Sequence, residues 1–114
     1  MELRMNGRNA LVTGGSRGIG LMIAQGFVEA GARVYISSRK ADVCDDVAAE
    51  LSKVGTCFSI PADLSSDAEC DRLAAVVSER EPKLDILVNN AGATWGAPLA
   101  DYPADAWDKV MTLN

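Results

Sequence analysis

The chain has 114 residues, 48% of them apolar and 24% charged, enough for one domain with a hydrophobic core and too apolar for a disordered segment. With 11 basic against 16 acidic residues the net charge is −5, which argues against the basic face that nucleic acid or an anionic membrane requires. Cys44, Cys57 and Cys70 form no C-x-x-C pair and no histidine accompanies them, so no zinc set can be assembled and the cysteines read as small buried hydrophobes.

The first ten residues, MELRMNGRNA, contain no apolar leader core, and no run approaches the roughly 18 apolar residues of a membrane span. A soluble cytoplasmic protein without membrane partners is the expectation. Residues 9–13, NALVT, form a short apolar run suited to a strand buried on both faces. From Gly18 the apolar residues Ile19, Met22, Ile23, Gly26, Phe27 and Ala30 recur at helical spacing, and Gly31 closes the helix. A second strand is expected at 32–37, ARVYIS. A helix over 42–53 follows, with Val43, Val47 and Leu51 on one face. Residues 56–60, TCFSI, make a third strand, stopped by Pro61.

Ser66 and Glu69 form a capping box for a helix over 66–80, with Cys70, Leu73, Val76 and Val77 inward. Residues 84–89, LDILVN, are the fourth strand, and a further helix is expected from about Ala104. The order βαβαβαβ predicts an α/β fold, a doubly wound parallel sheet with helices on both faces. The segment DKVMTLN at 108–114 carries neither Gly nor Pro, and a fourth strand in such a sheet needs a further neighbour. The expectation is therefore the N-terminal portion, 1–114, of a larger nucleotide-binding domain.

The turn after the first strand admits two readings. Gly14-Gly15-Ser16-Arg17-Gly18 matches the G-x-S-x-G elbow of serine hydrolases, with Ser16 as nucleophile. Such a serine needs a histidine base, and the chain has none. The other reading takes Gly14, Gly18 and Gly20 as a loop that lets a pyrophosphate approach the N-terminus of a helix. An isolated nucleotide-binding module without catalysis is a third possibility.

The glycine loop has company. TGGSRGIG at 13–20, ADL at 62–64, NNAG at 89–92 and the final Asn114 together resemble the short-chain dehydrogenase/reductase family over essentially the whole chain. Within it, the sequence is most similar to 3-oxoacyl-(acyl-carrier-protein) reductases, including the rhamnolipid-associated branch. The resemblance implies that Gly14, Ser16, Arg17, Gly18, Ile19 and Gly20 line a dinucleotide loop. It implies that Asp63 and Leu64 meet the adenine ring and that Asn90, Ala91 and Gly92 pass the nicotinamide ribose. Asn89 is expected to brace the central strands with Thr13. Asn114 matches the family's catalytic asparagine, and Trp95 either borders the substrate or packs in the core.

The form of the cofactor can be argued physically. An NAD enzyme places a carboxylate at the end of the second strand to hold the ribose 2′-hydroxyl. Here that segment is YISSRK at 35–40, without an acid. Arg39, with Arg17 and a hydrogen bond from Ser38, suits a 2′-phosphate, so NADP(H) is the expected cofactor. By the same resemblance the catalytic serine and Tyr-x-x-x-Lys pair follow Asn114. Tyr35 and Tyr102 lack a lysine four residues on, so this stretch alone is not expected to turn over. The implied activity is reduction of a ketone, a 3-oxoacyl thioester, by a homo-oligomer, dimer or tetramer.

Overall fold

The computed structural model describes residues 4–90. The expected terminal helix, together with Ala91, Gly92, Trp95, Tyr102 and Asn114, lies outside the described residues. Seven elements follow one another: β1 (Asn9–Thr13), α1 (Gly18–Glu29), β2 (Arg33–Ser37), α2 (Ala41–Leu51), β3 (Thr56–Ser59), α3 (Asp67–Arg80) and β4 (Ile86–Asn89). Every predicted strand and helix in this range is present, with bounds shifted by at most two residues.

The strands pair in parallel in the order β3-β2-β1-β4. The chain steps from β1 to β2 to β3 in one direction, then returns past β1 to place β4. A right-handed crossover in the reversed direction puts its helix on the opposite face. The burial pattern agrees. Val12, Val34, Ile36 and Cys57 point into a core with Ala24, Val28, Cys44, Ala48 and Leu51 of α1 and α2. Leu11 and Tyr35, one residue out of phase, enter a second core with Cys70, Leu73, Ala74 and Val77 of α3. Covered on both sides, β1 is buried along its whole length. Leu11 and Val12 there each stabilise the fold by about 1.5–3 kcal/mol.

Two helix faces differ from expectation. In α1 the buried stripe is Gly20, Ala24 and Val28, whereas Ile19 and Met22 are exposed. Gly20 draws the helix onto the turn after β1, which rotates the apolar residues around it outward. In α2 the fully buried positions are Cys44, Ala48 and Leu51, with Val43 and Val47 only half-buried. Small side chains allow the helix to approach the sheet, and Cys44 Sγ lies 3.7 Å from the Ile36 carbonyl oxygen.

Gly31, with φ +97°, closes α1 in a Schellman motif: its N–H donates to Val28 O and that of Ala32 to Phe27 O, each at 3.0 Å. Cys44, Cys57 and Cys70 are all buried, and burial pushes the Cys57 thiol up to about 12, far from a reactive thiolate. Among the described residues no helix is long and apolar enough to cross a membrane.

Candidate functional site

Parallel pairing aligns the C-terminal ends of three strands in one row, because Thr13 stands opposite both Ser37 and Asn89. The row marks the switch point between β1 and β4, where an open α/β sheet leaves a crevice. Beyond it the chain keeps its alignment. The Gly14 N–H donates to Ser37 O at 2.8 Å, and the Ala62 N–H to Ser38 O at 3.0 Å. A cleft of about 440 Å³ opens there, lined by Gly14, Ser16, Arg17, Gly18 and Ile19 of the turn, Ser37, Ser38 and Arg39 after β2, Ala62, Asp63 and Leu64 after β3, and Asn90.

The structure therefore gathers into one cleft the sequence-predicted Gly14, Ser16, Arg17, Gly18, Ile19, Ser38, Arg39, Asp63, Leu64 and Asn90, drawn from four separate segments. Gly20 lies beneath the cleft rather than in its lining. A Cβ there would overlap the Gly14 carbonyl oxygen and stand 2.7 Å from Asn90 Nδ2. Gly18 has the opposite character, with φ +60° and open space where a side chain would go. Sequence reasoning missed Ser37 and gave no role to Ala62, although Ala62 opens the ADL motif. Their signal is positional, each immediately preceding a residue that was singled out.

The first turn of α1 is arranged unlike those of its neighbours. Ser66 caps α3, accepting from the Glu69 N–H at 3.4 Å, and Asp67 and Glu69 stand in its first turn. The other half of the expected capping box does not form, since Glu69 instead accepts from the Asp63 N–H and pairs with Arg72. Helix α2 has Asp42 in its first turn. By contrast α1, with Arg17 at its N-cap, has no acid in its first turn and, like α2, no side-chain cap, so its positive end faces the cleft uncompensated.

Two buried hydroxyls beside it lack partners among the described residues. The hydroxyls of Ser37 and Ser38 are buried with no hydrogen bond among the described residues, an unfavourable state that a ligand oxygen would relieve. Arg17 and Arg39 border the cleft exposed to solvent. At the far side Asp63 Oδ1 accepts from the Ser65 hydroxyl at 2.7 Å and the Ser65 N–H at 3.0 Å. These two bonds, with the charge of Arg39 adding, hold the Asp63 carboxyl below its usual range against a smaller opposing desolvation.

On the β1–β4 side Thr13 Oγ1 accepts from the Asn90 N–H at 3.0 Å and lies 3.2 Å from Asn89 Oδ1 and 3.3 Å from Val88 O. Thr13 thus fixes where the chain leaves β4 for the cleft, with Asn89 beside it. Ser16 has no imidazole anywhere in the chain to activate it. Its surroundings are the glycine turn and two arginines, which suit an anion and offer no base to prepare a nucleophile.

Comparison with known proteins agrees with this geometry. The chain is 62% identical over 108 residues to the rhamnolipids biosynthesis 3-oxoacyl-[acyl-carrier-protein] reductase of Pseudomonas aeruginosa, an alignment covering 95% of this chain and 42% of that protein. It is 40% identical over 114 residues to gluconate 5-dehydrogenase of Gluconobacter oxydans, covering 96% and 43%. The chain spans about two-fifths of the length of these curated relatives. Among solved structures, the Pseudomonas aeruginosa RhlG/NADP active-site complex superimposes with a TM-score of 0.77 at 60% identity, over 81% of this chain and 37% of that one. The family model for short chain dehydrogenases matches residues 8–114. With a parallel sheet in the order 3-2-1-4, a glycine turn at its switch point and a family match from Arg8 to Asn114, this chain belongs to the short-chain dehydrogenase family.

Proposed function

We propose that the protein carrying this chain is an NADPH-dependent reductase that converts a ketone, a 3-oxoacyl thioester, to the corresponding hydroxy compound. The observation that carries this reading is the uncapped, acid-free N-terminus of α1 facing a cleft bordered by Arg17 and Arg39. The names of the Pseudomonas aeruginosa relatives, a 3-oxoacyl reductase and an NADP complex, support the same substrate class and cofactor.

When bound, the cofactor supplies the hydride that reduces the carbonyl carbon. The backbone of the Gly14–Gly20 turn, with Ser16 and Ile19 beside it, takes the pyrophosphate against the positive end of α1, Gly20 allowing the helix to sit close. Arg39, helped by Arg17 and the unsatisfied Ser38 hydroxyl, holds the 2′-phosphate. No acid follows β2 to hold a bare 2′-hydroxyl instead. Asp63 accepts from the base amine, Leu64 lies along the ring, and Asn90 with Ala91 and Gly92 borders the nicotinamide ribose. Asn114 is assigned to the catalytic machinery as the anchor of a water that relays a proton. The working form is a cytoplasmic homo-oligomer.

An assay of the protein with NADPH and acetoacetyl-coenzyme A, a short 3-oxoacyl thioester, tests the proposal. Thioester-dependent NADPH oxidation is expected, with NADH a poor substitute. Oxidation of neither cofactor with any 3-oxoacyl thioester would overturn the substrate class.

A further inference from the structure

The carboxylate of Asp63 is held asymmetrically. Ser65 gives both its donors to the same oxygen, Oδ1, and among the described residues no hydrogen bond reaches Oδ2. The loop that carries Asp63 is braced from α3. Glu69 Oε1 accepts from the Asp63 N–H at 3.4 Å, and Arg72, paired with Glu69 at 2.7 Å, donates to the Pro61 carbonyl.

Arg39 lines the same cleft and its charge is felt at Asp63. Yet the two form no ion pair among the described residues. Were they to close on each other, the cleft would lose an acceptor for a base and a cation for a phosphate together. An exposed ion pair between flexible side chains is a weak interaction. Two charge-assisted hydrogen bonds from the residue next but one, on a short side chain, compete well against it.

We infer that Ser65 is a positioning residue for base recognition, fixing Asp63 so that Oδ2 reads an amine donor in the cleft instead of pairing with Arg39. This rests on the NADP(H) reading above. A carboxylate oxygen held in place accepts from the exocyclic amine of adenine and repels the oxygen that hypoxanthine carries at the same position. Ser65 is exposed, so its hydroxyl can be removed without opening a cavity.

Calorimetric titration with NADPH and with its hypoxanthine counterpart tests the inference in the protein carrying this chain. The unaltered protein should prefer the adenine form by about tenfold or more, and Ser65→Ala should reduce that preference to about threefold or less. The loss should fall on NADPH, leaving affinity for the hypoxanthine form unchanged. Ser65→Thr, which restores the hydroxyl, should restore the preference. In Ser65→Ala the Asp63 carboxyl, followed by NMR, should titrate closer to its ordinary value of 3.8. If Ser65→Ala binds both forms with the original preference, or weakens both equally, the role of Ser65 is refuted while the cofactor reading stands. A protein that binds both forms equally well before mutation refutes base reading by Asp63. One that binds neither removes the cofactor reading as well.

Discussion

Gly20 and Gly18, six and four residues after Gly14 in the same turn, do different work. At Gly20 a methyl group would collide with backbone, the Gly14 carbonyl, which cannot rotate away. Gly20→Ala should therefore destabilise the fold by about 2–4 kcal/mol and lower the melting temperature whether or not a ligand is present. Gly18 has space but φ +60°, so the cost of a side chain there is backbone strain plus intrusion into the cleft. Gly18→Val should cost about 1–2 kcal/mol of stability and abolish measurable dinucleotide binding. Ser16→Ala should bind within about tenfold of the original protein, since at most one hydrogen bond worth roughly 0.5–1.5 kcal/mol is lost. Titration of the three variants, with melting curves beside it, separates these outcomes. Abolished activity in Ser16→Ala with labelling of Ser16 by an organophosphate would restore the hydrolase reading.

At the scale of elements, the start of the sheet carries a polar clamp. Asn9 and Arg33 open β1 and β2. Glu81, just past α3 and 8% exposed, accepts from Tyr35 Oη at 2.6 Å, Arg33 Nε at 2.8 Å and Asn9 Nδ2 at 3.3 Å. Burial by itself pushes the Glu81 carboxyl up. The hydrogen bonds from Tyr35, Arg33 and Asn9 and the charge of Arg33 outweigh it, and the net direction is below the ordinary 4.5. Asp85, bonded to the Asn9 N–H at 3.0 Å, is lowered likewise. A folded carboxyl held below its unfolded value contributes stability above the unfolded value and loses it as pH falls through the folded one. The fold should thus weaken below about pH 4.5, and Glu81→Gln should flatten that acid limb while costing about 1–3 kcal/mol at neutral pH. Because Arg33 is half exposed, water takes over its charge, and the cost falls mainly on Tyr35 and Asn9. Melting temperatures followed from neutral to acid pH check both statements. An unchanged acid limb would remove Glu81 from the clamp.

The strands were legible in the sequence because each is a short apolar run between turn residues, and the cleft was legible because glycines, arginines and asparagines punctuate the strand ends. The helix faces were less so. Hydrophobicity pointed to Ile19 and Met22 in α1, but closeness of packing, which favours Gly20, Ala24 and Val28, decided the matter. The Glu81 clamp could not be read at all. Asn9 and Glu81 are 72 residues apart, and only the strand order brings them together.

For the molecule as a whole, the polar clamp and the cleft sit at opposite ends of one sheet. The clamp joins the strands where β1 and β2 begin, and the cleft opens where they end. Glu81→Gln should consequently lower the melting temperature without altering the ratio of affinities for NADPH and NADH, whereas Arg39→Asp should do the reverse. The most direct measurement is the pair of dissociation constants for NADPH and NADH, taken by calorimetry on the protein carrying this chain and on its Arg39→Asp variant. NADPH should bind the unaltered protein at least about tenfold more tightly, and Arg39→Asp should weaken NADPH by about one to three orders of magnitude while barely changing NADH. Equal affinities for the two cofactors, or an equal loss of both in the variant, would contradict the assignment of the cleft to a 2′-phosphorylated dinucleotide.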